Sequence, residues 1–149
     1  MNVYSPSIVH TNYTHNDRVG RLGELLTCYY LEVLGVKCEH VRAHGCDLWC
    51  ETADGRMLRC EVKSTTKLTS TYEIHRKNKS VYKFYLQDIQ KQQADFHAFV
   101  ALDKSLVLFY PNEDLPKCLT KSIGHTKFTN EAIEASLSYT LQRLAKRVA

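Results

Sequence analysis

The sequence predicts a single α/β domain in the order helix, strand, strand, strand, short helix, strand, with a mixed central sheet flanked by helices. Three observations carry this: an apolar stripe at helical spacing near the start, two alternating runs about an Asp54-Gly55 turn, and a later run that is apolar on nearly both faces. The chain has 149 residues, 44% of them hydrophobic and 24% charged. That length supports one good core and is too short for two, and the balance is that of a soluble globular protein. No run approaches the ~18 consecutive apolar residues of a membrane span, and the first residues lack the basic-then-apolar layout of a secretory signal. The expectation is an intracellular protein, cytoplasmic or nucleoid-associated and not secreted.

Residues 1–16 are rich in Asn, Tyr, His, Ser and Thr without periodicity and read as a flexible arm ahead of a domain over 17–149. Tyr4 and Tyr13 lie in it. Asn16 or Asp17 is placed to cap a helix that runs to Leu34 and stops at Gly35. Val19, Leu22, Leu26, Tyr29, Tyr30 and Leu34 form its apolar stripe. Gly20 and Gly23 cost about 1 kcal/mol each inside a helix, so close packing or ligand approach is expected there. Val36 to Val41 alternates and gives the first strand.

The next two strands hold the chemistry. Cys46, Leu48 and Cys50 share one face of the first, and Leu58, Cys60 and Val62 share one face of the second. A two-residue turn would put Asp47 among the apolar set. A three-residue loop, Ala53-Asp54-Gly55 with Gly55 left-handed, pairs Thr52 with Arg56 and Asp47 with Glu61. In that register Asp47, Glu61 and Lys63 stand together on the other face. Opposed Cβ atoms lie ~5 Å apart, so the two carboxylates repel unless a cation joins them. Oxygen donors of this kind suit magnesium, and an adjacent lysine suits phosphate chemistry. The set fits phosphodiester hydrolysis.

These residues resemble the PD-(D/E)XK nuclease superfamily, with Gly45-Cys46-Asp47-Leu48 as the Asp motif and Glu61-Val62-Lys63 as the Glu-X-Lys motif. Cys46 stands where the family often has Pro. Gly20-Arg21-Leu22-Gly23-Glu24 matches a first-helix pattern that places Glu24 at the edge of the site. The resemblance implies that Asp47, Glu61 and the Val62 carbonyl bind Mg2+, with Mn2+ as a substitute. It implies that Glu24, Asp47, Glu61 and Lys63 form the catalytic set and that the core is αβββαβ. It covers residues 17 to 111.

Beyond the Glu-X-Lys strand the chain turns polar and basic. Ser64, Thr65, Lys67, Arg76, Lys77, Lys79 and Lys83 are the expected DNA contacts, as hydroxyls and cations suited to phosphates. The formal charge of +4 permits this without demanding it. Tyr72 to Ile74 and Val81 to Leu86 read as edge strands of an added hairpin. Gln87 to Gln93 reads as a short helix or turn, Asp95 to Leu102 as a buried strand, and Leu106 to Tyr110 as its neighbour, stopped by Pro111. This Asp-aromatic opening and Pro closure also look like the later strands of the group I intron homing endonucleases of the superfamily. Residues 112 to 128 read as irregular. Asn130 is placed to cap a last helix with Ile133, Leu137, Leu141 and Leu144 on one stripe.

Six cysteines raise the question of zinc. Cys46 and Cys50 are roughly 13 Å apart along a strand, too far for one ion. Cys38-Glu39-His40 through His44-Gly45-Cys46 is the better candidate, against buried thiols as the default. The sequence therefore points to a magnesium-dependent endonuclease acting on double-stranded or branched DNA, as a homodimer or higher homo-oligomer, with homing-type or restriction-like cleavage first. A Holliday-junction resolvase of the same fold is the alternative, and a catalytically silent nucleic-acid-binding or zinc-stabilised interaction module is the other.

Overall fold

The computed structural model describes residues 14–43, 46–73, 76–87 and 93–146. Helix α1, His15–Val33, opens on a capping box in which Thr14 Oγ1 accepts from the Asp17 N–H at 3.1 Å and the Asp17 carboxylate accepts from the Thr14 N–H at 3.3 Å. Thr14, not Asn16 or Asp17, is thus the cap, because Thr with an acid three residues on satisfies two orphan amides at once. The helix begins inside the stretch expected to be an arm, of which residues 1–13 lie outside the described residues. It ends as expected at Gly35, whose φ is +87°. There Val36 N donates to Leu31 O and Gly35 N to Glu32 O, the paired bonds that a left-handed residue makes possible.

Among the described residues eight strands follow in chain order: β1 Lys37–Ala43, β2 Cys46–Glu51, β3 Met57–Thr65, β4 Leu68–Glu73, β5 Arg76–Tyr85, β6 Phe96–Ala101, β7 Leu106–Pro111 and β8 Thr120–Gly124. The main sheet has the order β1-β2-β3-β6-β7, with β3 and β6 parallel and the other pairs antiparallel. It is therefore mixed. Every residue of β6 is buried, as a central strand covered on both faces requires. Pro111 pairs with Phe96 at the end of β7, where an edge strand tolerates a missing donor.

Helix α2, Asn130–Ala145, is capped by Thr129, whose side chain accepts from the Ala132 N–H. Asn130 is its first residue and not its cap. Ile133, Leu137 and Leu144 of α2 join Leu31 of α1 over Leu48, Cys50, Cys60, Val62, Ala98 and Val107, so both helices cover one face of the sheet. The other face carries a second, smaller sheet of order β4-β5-β8. Tyr82, Phe84 and Ile123 from it pack on Phe99, Ala101 and Leu108.

That smaller sheet corrects two expectations. The hairpin starts at Leu68 instead of Tyr72, since pairing with β5 holds these exposed Thr and Ser residues extended where polarity alone reads as loop. Residues 112 to 128 hold β8 and two turns of 3-10 helix, Asn112–Asp114 and His125–Lys127. One buried residue, Ile123, is all that shows in the sequence of so short a strand. Ile74 and residues 88–92, most of the expected Gln87 to Gln93 helix, lie outside the described residues. No described helix is long and apolar enough to cross a membrane.

Candidate active site

The β2–β3 hairpin has the register that its sequence demands. Glu51 pairs with Met57, Cys50 with Leu58, Trp49 with Arg59 and Leu48 with Cys60. Gly55 has φ +83°, Thr52 N donates to Arg56 O at 3.0 Å and Gly55 N to Thr52 O at 2.9 Å. The loop is the three-residue one, and the next residues along the two strands are Asp47 and Glu61. There the Asp47 side chain takes over from the ladder: Oδ2 accepts from the Val62 N–H at 2.8 Å. Register is held from the other side by Asp95, which accepts from the Arg59 N–H at 2.7 Å while Asp95 N donates to Arg59 O at 2.9 Å.

The Glu61 carboxylate is nearly sealed from solvent, its side chain 3% exposed, with Lys63 Nζ 2.9 Å from Oε1. Burial, then the neighbouring Asp47 and Glu24 carboxylates, push its pKa up against the pull of Lys63. The charged form is therefore costly where it stands. The sign of the linkage follows. A folded carboxyl that holds its proton to higher pH than the unfolded one makes stability fall as pH rises from the unfolded value through the folded one. Glu61→Gln, measured in chelator, is expected to have a higher urea midpoint than wild type at neutral pH and to lose that advantage in acid. A neutral-pH midpoint at or below wild type would contradict this.

Gly23 brings α1 onto β3. A Cβ at Gly23 would stand 1.6 Å from Ser64 Oγ and 2.8 Å from Ser64 Cβ, so only glycine admits this approach. The approach sets Glu24, the next residue, within electrostatic reach of Glu61. Its carboxylate meets the His40 ring from β1, and Arg21 Nη1 lies 3.2 Å from each ring nitrogen of His40. Gly20 meets nothing within 4 Å, and nothing in the structure explains it.

The His40 ring is engaged by Glu24 and Arg21. Cys38 Sγ lies 2.9 Å from Cys28 Sγ across the α1–β1 seam, Cys46 is buried, and Cys50 is buried in the core beneath the helices. His44 and Gly45 lie outside the described residues. Among the described residues no three His, Cys, Asp or Glu side chains are grouped to hold a metal. The Asp47, Glu61 and Val62 carbonyl set instead offers two carboxylates and a backbone oxygen. Those hard donors fit magnesium and not zinc.

No family model and no curated protein matches the sequence. Among solved structures, the bacterial homing endonuclease I-Ssp6803I superposes with TM-score 0.59 at 14% identity, over 87% of this chain and 93% of that one. The Holliday junction resolvase Hjc of Archaeoglobus fulgidus superposes with TM-score 0.52 at 16% identity, over 73% and 86%. The chain shares the fold of these two proteins.

In this fold the residues expected to contact DNA fall on the exit from β3 and on the smaller sheet. Ser64 and Thr65 end β3, both half-buried, and Lys67 in the turn beyond is exposed. Ser64 Oγ lies where α1 comes close to β3 at Gly23. Arg76, Lys77 and Lys79 are placed along β5 by its backbone. Lys83 is exposed on the same strand, its Nζ 5.9 Å from the centre of the Tyr85 ring.

Two residues at the site carry no signal of their own in the sequence. His40 groups there with cysteines because they are chain neighbours. His97 is Glu61's partner in the parallel β3–β6 ladder, fully buried and stacked on Phe99; only knowledge of that pairing reveals it.

Proposed function

We propose that this chain is a magnesium-dependent DNA endonuclease that hydrolyses phosphodiester bonds. The observation that carries the reading is the meeting of Asp47, Glu61 and Lys63 across β2 and β3, with Asp47 fastened to Val62 N and Lys63 to Glu61. Asp47, Glu61 and the Val62 carbonyl would hold the ion, with manganese able to substitute. A bound magnesium would supply Lewis-acid stabilisation of charge on the phosphate. Lys63 neutralises charge growing on the phosphate oxygens and orients the attacking water, and Glu24 supports the site from α1. One such site cuts one strand, so cleavage of both strands calls for at least a homodimer. DNA as substrate places the protein in the cytoplasm or on the nucleoid.

Homing-type or restriction-like cleavage of duplex DNA is the first reading, supported by the likeness to a homing endonuclease over most of both chains. Resolution of Holliday junctions is the second, supported by the likeness to Hjc. Supercoiled plasmid and a synthetic four-way junction, each with magnesium and with chelator, test both. Magnesium-dependent nicking or linearisation of plasmid is expected; preferential cutting of the junction in competition with duplex selects the resolvase. Tight DNA binding without cleavage under any divalent ion would leave a silent binding module.

Arg76, Lys77 and Lys79 are expected to bind through phosphates. Replacing them with Gln should flatten the salt dependence of DNA affinity by about 0.9 in log–log slope for each phosphate no longer neutralised. An unchanged slope would move the DNA surface elsewhere.

A further inference from the structure

The α1–β1 seam is built in two rungs. On α1, Glu24 and Cys28 are one turn apart on the same side; on β1, His40 and Cys38 are two residues apart and so share a face. One rung is the thiol pair, with sulfurs 2.9 Å apart. The other is the Glu24 carboxylate on the His40 ring, with the Arg21 guanidinium against that ring. Glu24 is 19% exposed and His40 28%, so neither is locked by burial alone. A partly exposed glutamate side chain loses rotamer freedom when it is fixed, and Glu24 stands within electrostatic reach of the Glu61 carboxylate. A ring anchored on a neighbouring strand removes that freedom: it selects one Glu24 rotamer.

We infer that His40 is a positioning residue for the site, holding the Glu24 carboxylate in place for divalent-ion binding. The inference rests on the nuclease reading of Asp47 and Glu61, and extends it to a residue of β1 outside the Asp and Glu-X-Lys motifs. Arg21 steadies His40 from the preceding turn of α1. Removing an outer partner that orients a carboxylate near a metal typically changes its affinity by about 10–100-fold, while a merely structural surface pair leaves metal binding unchanged.

The test is Mn2+ binding to the full chain without DNA, followed by electron paramagnetic resonance, in His40→Leu, His40→Gln, Glu24→Gln, the Glu24→Gln/His40→Leu double variant and Asp47→Asn. His40→Leu is expected to weaken Mn2+ binding about tenfold, as Glu24→Gln does. His40→Gln, which can still donate to the carboxylate, should restore most of the affinity. The double variant should bind no more weakly than Glu24→Gln alone, because residues acting through one another are not additive. Thermal melts accompany each variant. His40→Asn, polar but too short to reach Glu24, replaces the Leu variant if that one misfolds. Wild-type affinity in His40→Leu, or additive losses in the double variant, overturns the inference while a loss in Asp47→Asn keeps the underlying site. Undiminished Mn2+ binding in Asp47→Asn overturns both.

Discussion

Asp47→Asn and Lys63→Ala are each expected to lower DNA cleavage by at least about 10²–10³-fold while leaving the fold and salt-sensitive DNA binding in place. The magnitude is that of removing one charged or donor group aimed at developing charge. The choice of Asn matters. Asp47 Oδ2 accepts from the Val62 N–H at 2.8 Å, and Asp47→Ala would leave that part-buried donor unpaired, a cost of about 1–3 kcal/mol. Asn keeps an acceptor oxygen and gives up only the charge. Lys63→Ala takes the ammonium from 2.9 Å beside the buried Glu61 carboxylate, which then holds its proton still more firmly and becomes a poorer metal ligand. Single-turnover cleavage with preformed protein–DNA complex separates chemistry from binding. Wild-type rates in either variant would remove that residue from the catalytic set.

Gly23→Ala is expected to cost about 1–3 kcal/mol or more in stability, a large change for one methyl group. Its Cβ would meet the Ser64 side chain at 1.6 Å and 2.8 Å, and neither neighbour can retreat freely: Ser64 sits in the β3–β6 ladder opposite Val100, and Gly23 lies mid-helix. Relief requires α1 to lift from β3, which also carries Glu24 away from Glu61. The urea midpoint should fall, and the Gly23→Ala/Ser64→Gly pair should recover most of the stability, since the remaining neighbour, Val62 Cγ1 at 3.6 Å, is at ordinary van der Waals distance. Destabilisation undiminished in the pair would mean that Ser64 is not the obstacle.

What is legible in the chain is whatever is local or periodic. The Asp54-Gly55 turn and the rule that a slip moves every side chain to the other face are enough to place Asp47 beside Glu61. Pattern does not show that Glu61 is sealed to 3% exposure, because the neighbour beside it, His97, comes from a strand 36 residues on. The smaller sheet is hidden for a related reason: the Ser- and Thr-rich start of β4 and the mostly polar β8 are extended because partners pair with them, and polarity alone suggests loop. Thr14 escapes notice as a cap because its capping partner, Asp17, is itself a good cap residue. His40 is misjudged from sequence because closeness to Cys38 along the chain outweighs a contact with α1 that only the fold creates.

Crystals of the protein grown with Mn2+ and measured at an X-ray energy where manganese scatters anomalously give the most direct measurement. The account predicts an anomalous peak between the Asp47 and Glu61 carboxylates, within coordination distance of both and of the Val62 carbonyl. Full occupancy elsewhere, or no peak at those carboxylates at saturating Mn2+, would contradict it.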